Sequence, residues 1–200
     1  MQEEGYMEAL EAVFTRRSTR KFSEVMPDRA LIDKVIEAGR YAPSGSNSQS
    51  THFIVLAGQA KLREIAGIVQ DAFAAMEIEE DMYVSLKRSI LASQKGGYVF
   101  HYGPPVLIVT ANKNEYGNAI ADSACALENM MIAANALDLG SCWINQLHWL
   151  DRNEAVRSFM MRCGLLEDET VTGALALGYP EGGVLNRETV ERKGNPVTWA

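Results

Sequence analysis

Four cationic side chains fall within six residues, Arg16, Arg17, Arg20 and Lys21, with Ser18 and Thr19 between them. Arg16, Ser18 and Arg20 alternate, so an extended backbone would present all three along one edge. Two planar guanidinium forks and a hydroxyl on one side suit a phosphate, which accepts bidentate, charge-assisted hydrogen bonds. A second basic pair, Arg192 and Lys193, stands far along the chain in ERKGNP. Together the two clusters could close on one anion. Taken singly, each also reads as ordinary solvated surface, the first helped by the C-terminal dipole of a preceding helix.

The stretch APSGSNSQSTHF offers a different chemistry. Ser44, Ser46, Asn47, Ser48 and Gln49 supply donors and acceptors, and Gly45 leaves backbone amides accessible. Such a set can hydrogen-bond the rim of a flat heterocycle. The same composition fits a turn-rich loop after a helix. There is no G-x-G-x-x-G following a strand and no phosphate-binding loop of the GxxxxGK[ST] kind. Cys125, Cys142 and Cys163 lack metal-ligand spacing. Nothing near Cys142 in sequence would activate it as a nucleophile, so it reads as a buried small hydrophobe. His52 opens a strand and reads as structural. His101 and His148 stand near candidate pocket loops and read as packing or surface residues.

These residues need a scaffold, and the composition supplies one. The chain has 200 residues, 47% of them hydrophobic and 22% charged, which suits one globular domain with a sizeable core. A net charge of -7 argues against a nucleic-acid binder, which needs a wide basic face, but not against one small anionic ligand. No signal peptide is read in MQEEGYMEALEAVF, and no apolar run approaches the roughly 18 residues of a membrane span. The expectation is a cytoplasmic protein with reduced thiols and no membrane or nucleic-acid partner.

Apolar spacing predicts a short helix over Met7–Phe14, ahead of the basic run. A second helix follows in MPDRALIDKVIEAGRYAPS, with Pro27 and Asp28 in its first turn and Gly39 and Pro43 as its stop. HFIVLAG reads as a strand ended by Gly58. Residues from Ala60 to about Ser93 are helical in pattern but irregular. PVLIVTA reads as a buried strand. The segment around Ile120, Ala124, Leu127, Met131 and Ala134 is apolar on nearly every side, so a second subunit could cover part of it. GSCWI and VTGALALGY read as strands. Between them, DRNEAVRSFMMRCGL begins with Asp151 and Glu154 in a capping-box-like start. The remainder is an irregular tail. Helices and strands mix without regular βαβ alternation, which favours α+β.

In order along the chain, RRSTRKF, YAPSGSNSQSTHF, GPPVLIV, GSCWI, LALGYPE and RKGNP form a series. That series resembles the FMN-dependent nitroreductase family over nearly the whole chain; residues from about Ile68 to Lys95 carry no matching motif. The resemblance implies a nitroreductase-like fold, a mostly antiparallel central sheet flanked by helices, and a homodimer with an interdigitating C-terminal tail. It implies one FMN-binding domain over residues 1–200, with about 68–97 a helical excursion or a lid. It assigns Arg16, Arg17, Ser18 and Arg20 to the FMN phosphate and ribityl chain, joined by Arg192 and Lys193. Pro43, Ser44, Gly45, Asn47 and Gln49 would reach the flavin from the partner subunit. Cys142 with Trp143, Ile144 and Asn145 would lie over the flavin N5 side, and the Gly178–Glu181 turn near the phosphate.

Two departures stand out. Ser50 and Thr51 replace the proline and tryptophan common after the loop glutamine, and Asn145 replaces a frequent glycine. The implied activity is a ping-pong hydride transfer from NADH or NADPH through FMN to a nitroaromatic, quinone or activated alkene. No catalytic acid–base residue is expected, because the flavin carries the chemistry. The alternatives are a reductive dehalogenase or flavin-fragmenting branch of the same family, or a module that binds FMN without turnover.

Overall fold

The computed structural model describes residues 7–199. Residues 1–6, part of the segment in which no signal peptide is read, lie outside the described residues. The elements run α1 (Ala9–Thr15), α2 (Arg29–Arg40), β1 (His52–Ala57), α3 (Gln59–Ala74), α4 (Val84–Lys95), β2 (Val106–Lys113), α5 (Ala119–Ala136), β3 (Gly140–Ile144), α6 (Gln146–Trp149), α7 (Glu154–Arg162) and β4 (Glu169–Gly178). A single 3₁₀ turn, Gly45–Asn47, interrupts the loop between α2 and β1.

The four strands form one sheet in the order β1-β2-β4-β3, antiparallel at every pairing. Strand side chains alternate between the two faces, and both faces are covered. On one face Val106, Ile108, Leu175 and Leu177 meet α2 and α5 through Ile32, Val35, Leu127 and Met130. On the other Leu56, Leu107, Val109 and Ile144 meet α3, α4 and α7 through Ile65, Phe73, Ile90 and Phe159. The unbroken apolar run of β2 therefore reflects burial on both sides, as its sequence predicts. Residues 68–97 supply the second half of α3 and all of α4, and their Phe73 and Ile90 are fully buried in the second cluster.

Local details depart from the sequence reading. Gly39 does not stop α2; it lies inside the last turn, where a Cβ would come within 2.9 Å of Met130 Cγ and 3.0 Å of Phe53 Cε1. The glycine is there for the close approach of α2 to α5. The start of α7 is capped by Asn153, whose side chain accepts from the backbone N–H of Ala155 and Val156, not by Asp151. Asp151 instead accepts from Thr170 Oγ1 and Val171 N, each at 2.7 Å, and ties its turn to β4. Helix α5 is not buried all round: Ile120 is 52% exposed and Cys125 is exposed in the single chain. No helix of the described residues is long and apolar enough to cross a membrane.

Candidate functional site

The basic run lies along the open edge of β3. Ser18 bridges to Ser141 in parallel register, and Thr19 N–H donates to Ser141 O at 2.8 Å. Further on, Phe22 bridges to Pro180, Ser23 N–H donates to Tyr179 O, and Glu181 N–H donates to Lys21 O. The run is thus extended and stitched to the edge strand and to the start of the tail, which is the backbone state that alternating side chains require. Its approach to β3 depends on Gly140, where a Cβ would lie 2.7 Å from Thr19 Oγ1 and 2.8 Å from its Cγ2.

Arg16 to Lys21 make one wall of a cleft of about 570 Å³, and Pro180, Val184, Asn186 and Arg192 make the other. That volume lies within the roughly 300–1,000 Å³ of small-molecule sites. Arg16, Arg17, Ser18, Arg20 and Arg192 therefore meet in one place, and Arg17 also reaches the carbonyl of Glu188, 171 positions along the chain. Lys193 is exposed and does not line it.

The cations are not equivalent. Arg17 donates to the carbonyls of Phe14, Arg16 and Glu188, so its guanidinium fastens the run to the tail. Arg16 stands 3.9 Å from Glu128. Arg20 is exposed, its guanidinium carbon 5.9 Å from the centre of the Tyr102 ring, a cation–π distance. Beneath the run, burial pushes the Cys142 thiol above its ordinary value, against the opposing pull of Arg20, Ser18 and Arg16. A protonated, 3% exposed thiol fits its reading as a small core hydrophobe.

The polar loop builds a second cavity, of about 490 Å³, where Pro43, Ser44, Asn47 and Gln49 join Glu37, Arg40, Thr51 and Asp122. Ser46, Asn47 and Gln49 have φ of 53°, 55° and 49°, a left-handed backbone that non-glycine residues adopt at a cost. Asp122 holds them there. Its carboxylate is 6% exposed and accepts from Gly45 N–H at 3.0 Å and from Tyr116 OH at 2.9 Å. Tyr116 OH also lies 3.2 Å from Gly45 O and from Ser48 Oγ. Ser44 Oγ accepts from Gln49 N–H at 3.0 Å and closes the loop. Gly45 itself turns toward this support: a Cβ would sit 2.1 Å from Asn118 Nδ2. Asp122 and Tyr116 escaped the sequence reading, because neither belongs to a motif and both lie about 70 residues from the loop they hold.

The two cavities share no lining residue. Pro180, from the implied Gly178–Glu181 turn, lines the basic cleft, whereas Cys142, Trp143, Ile144, Asn145 and Gly178 line neither cavity. Ile144 is 1% exposed in the core, and Trp143, on the opposite face of β3, donates its indole N–H to Asn145 Oδ1 at 2.7 Å. Gly178 is buried, and a Cβ there would fall 2.5 Å from Pro105 Cδ, so its smallness serves packing.

The histidines are bound into the structure. His52 Nδ1 is 2.9 Å from Glu169 Oε2, and His148 Nδ1 is 2.7 Å from Val171 O. His101 accepts from Gly103 N–H at Nδ1, which leaves Nε2 to donate to Leu62 O. Among the described residues no group of three or more His, Cys, Asp or Glu side chains could hold a metal.

Comparison with known proteins identifies the family and the fold. A family model described as the nitroreductase family matches residues 13–179. A crystal structure of a nitroreductase with bound FMN from Bacteroides fragilis superposes with a TM-score of 0.84 at 32% identity, covering 97% of this chain and 100% of that one. A relative from Archaeoglobus fulgidus, named as an NADH dehydrogenase/NAD(P)H nitroreductase, is 28% identical over 87% of this chain and 86% of its own length. A 4-nitrobenzoate reductase from a Nocardioides species is 25% identical over 93% and 89%. With residues 13–179 matched and an antiparallel sheet covered by helices on both faces, the chain belongs to the nitroreductase family.

Proposed function

We propose that this member of the nitroreductase family is an FMN-dependent oxidoreductase that uses NADH or NADPH to reduce a small acceptor, a nitroaromatic, quinone or activated alkene. The observation that carries the reading is the convergence of Arg16, Ser18, Arg20 and Arg192 on one cleft. Its donor set matches a phosphate dianion: planar guanidinium forks, a hydroxyl and an ammonium from Lys21, all on an extended backbone. Bound FMN would supply the chemistry, taking a hydride from the nicotinamide and passing it to the acceptor.

The chain's own residues bind and orient. Arg16, Arg20 and Arg192 neutralise the phosphate, and Ser18 donates to it. Pro43, Ser44, Asn47 and Gln49 present polar groups in a strained loop fixed by Asp122. Because this loop and the basic cleft share no lining residue, each chain carries two half-sites. A homodimer completes both by placing the loop of one protomer against the cleft of the other. Exposed apolar side chains support such pairing, among them Leu10 at 68%, Phe14 at 60% and Ile120 at 52%. The name of the Nocardioides relative favours a nitroaromatic acceptor. The free thiols Cys125, Cys142 and Cys163 suit the cytoplasm.

The test is the visible spectrum of the purified protein. A yellow preparation whose colour is released as FMN, and which bleaches within seconds on mixing with NADH or NADPH, supports the reading. A colourless protein that takes up no added FMN rejects it. Bound FMN that neither nucleotide bleaches leaves a binding module without turnover.

A further inference from the structure

Two segments far apart in sequence make the basic cleft, and something must hold them against each other. Among the described residues the tail after β4 forms no helix or strand and is mostly exposed. One buried side chain bonds to residues that flank both walls. Asn135, on the last turn of α5, is 4% exposed. Its Nδ2 donates to Ala12 O at 3.0 Å and to Thr15 Oγ1 at 2.9 Å, both in α1, and Thr15 immediately precedes Arg16. Its Oδ1 and backbone carbonyl accept from Arg187, at 3.4 Å and 2.6 Å, the residue just after Asn186. Arg187 also donates to Asp138 Oδ1 at 2.8 Å. Asn135 therefore stands one residue from each wall of the cleft, with both amide hydrogens given to the run side and its amide oxygen to the tail side. Arg17, donating to Glu188 O, is a second fastening beside the first.

We propose that Arg187 is a positioning residue for the anion cleft: anchored on Asn135 and Asp138, it holds the tail so that Asn186 and Arg192 face the run from Arg16 to Arg20, without itself touching the phosphate. The inference rests on the FMN reading above and adds the device that assembles its phosphate site. Three acceptors, two of them carbonyl oxygens, engage this guanidinium, and none of its contacts opens onto the cleft. A planar fork serves such a role better than an ammonium, because it satisfies acceptors in several directions at once.

The distinguishing measurement is affinity for FMN against riboflavin, which lacks the phosphate, on protein stripped of flavin. Arg187→Ala should weaken FMN about tenfold or more, the loss of one charge-assisted hydrogen bond, and riboflavin less than about twofold. Arg187→Lys should recover part of the loss, and Asp138→Ala, at an exposed site, should move FMN affinity in the same direction by a smaller factor. Arg187→Ala combined with Arg192→Ala should cost little more than Arg192→Ala alone, because the first acts through the second. An unchanged ratio of FMN to riboflavin affinity in both Arg187→Ala and Asp138→Ala overturns the proposal, as does additivity of the double variant. A wild-type protein that binds FMN no better than riboflavin sinks the phosphate reading and this inference with it. If Arg187→Ala does not fold, the Asp138→Ala ratio decides.

Discussion

The carboxylate of Asp122, in α5, accepts the backbone N–H of Gly45 at 3.0 Å, across 77 residues of sequence. No cation lies within ion-pair distance of this buried acid among the described residues, and its partners are neutral donors, Gly45 N–H, Tyr116 OH and Ser48 Oγ. The strained loop that would face a flavin is thus fixed by the core helix α5. Asp122→Ala should lower stability by about 1–3 kcal/mol, because it leaves the Gly45 amide without its acceptor. Urea denaturation measures this. Tyr116→Phe should cost less, since Asp122 then keeps its backbone donor. A loss in Tyr116→Phe as large as in Asp122→Ala would show that the hydroxyl, not the carboxylate, sets the loop.

Gly140 lets the basic run lie on β3. Gly140→Ala puts a methyl where Thr19 Oγ1 and Cγ2 now sit, 2.7–2.8 Å away, so the run must move outward. FMN affinity should fall more than global stability does. Adding Thr19→Ser, which removes Cγ2 and leaves a hydroxyl free to rotate, should restore part of the affinity. No recovery in the double variant would mean the contact is not what Gly140 protects.

Arg20 is the run's least committed guanidinium, engaged by the Tyr102 ring and, among the described residues, by no carboxylate within ion-pair distance. Arg20→Ala should weaken FMN retention by on the order of 1.5–3 kcal/mol, the range for a hydrogen bond to a charged group. Titration of stripped protein reads it directly. Unchanged affinity removes Arg20 from the phosphate site.

The Asn145 side chain accepts the Trp143 indole N–H at 2.7 Å. Asn145→Gly should free the indole, shift the tryptophan fluorescence and change the relative rates with a panel of acceptors, with little effect on flavin affinity. Equal relative rates across the panel would place Asn145 outside the acceptor's reach.

Burial lowers the His101 pKa below its ordinary 6.5, since a charged ring would lose both water and its acceptor role toward Gly103. The unfolded chain then binds the proton more readily than the folded one. Stability is therefore retained above pH 6.5 and declines as pH falls through that value toward the folded pKa. Denaturation midpoints measured above and below pH 6.5 should show this decline, and His101→Gln should flatten it. A slope unchanged by the substitution would assign the decline to other groups.

Much of the fold was legible in the residues because local pattern and burial agree along it. The apolar run VLIVTA reads as a doubly covered strand and is one. The alternation of Arg16, Ser18 and Arg20 reads as an extended edge and lies on one. The errors were of kind rather than place. Gly39 was read as a helix stop because glycine usually breaks helices, yet here it admits Met130 and Phe53. Asp151 was read as a cap because its spacing to Glu154 fits, yet Asn153 lies nearer the first free amides and takes them.

The chain by itself therefore determined which chemical groups exist and which segments are strand or helix, since both follow from side-chain type and short-range periodicity. It could not determine that Asn135 joins Thr15 to Arg187, or that Asp122 holds Gly45. Those bonds link residues between 52 and 120 positions apart that carry no mutual signal in a single sequence. Only the folded sheet, by laying α5 across one face and the run along one edge, brought each donor to its acceptor.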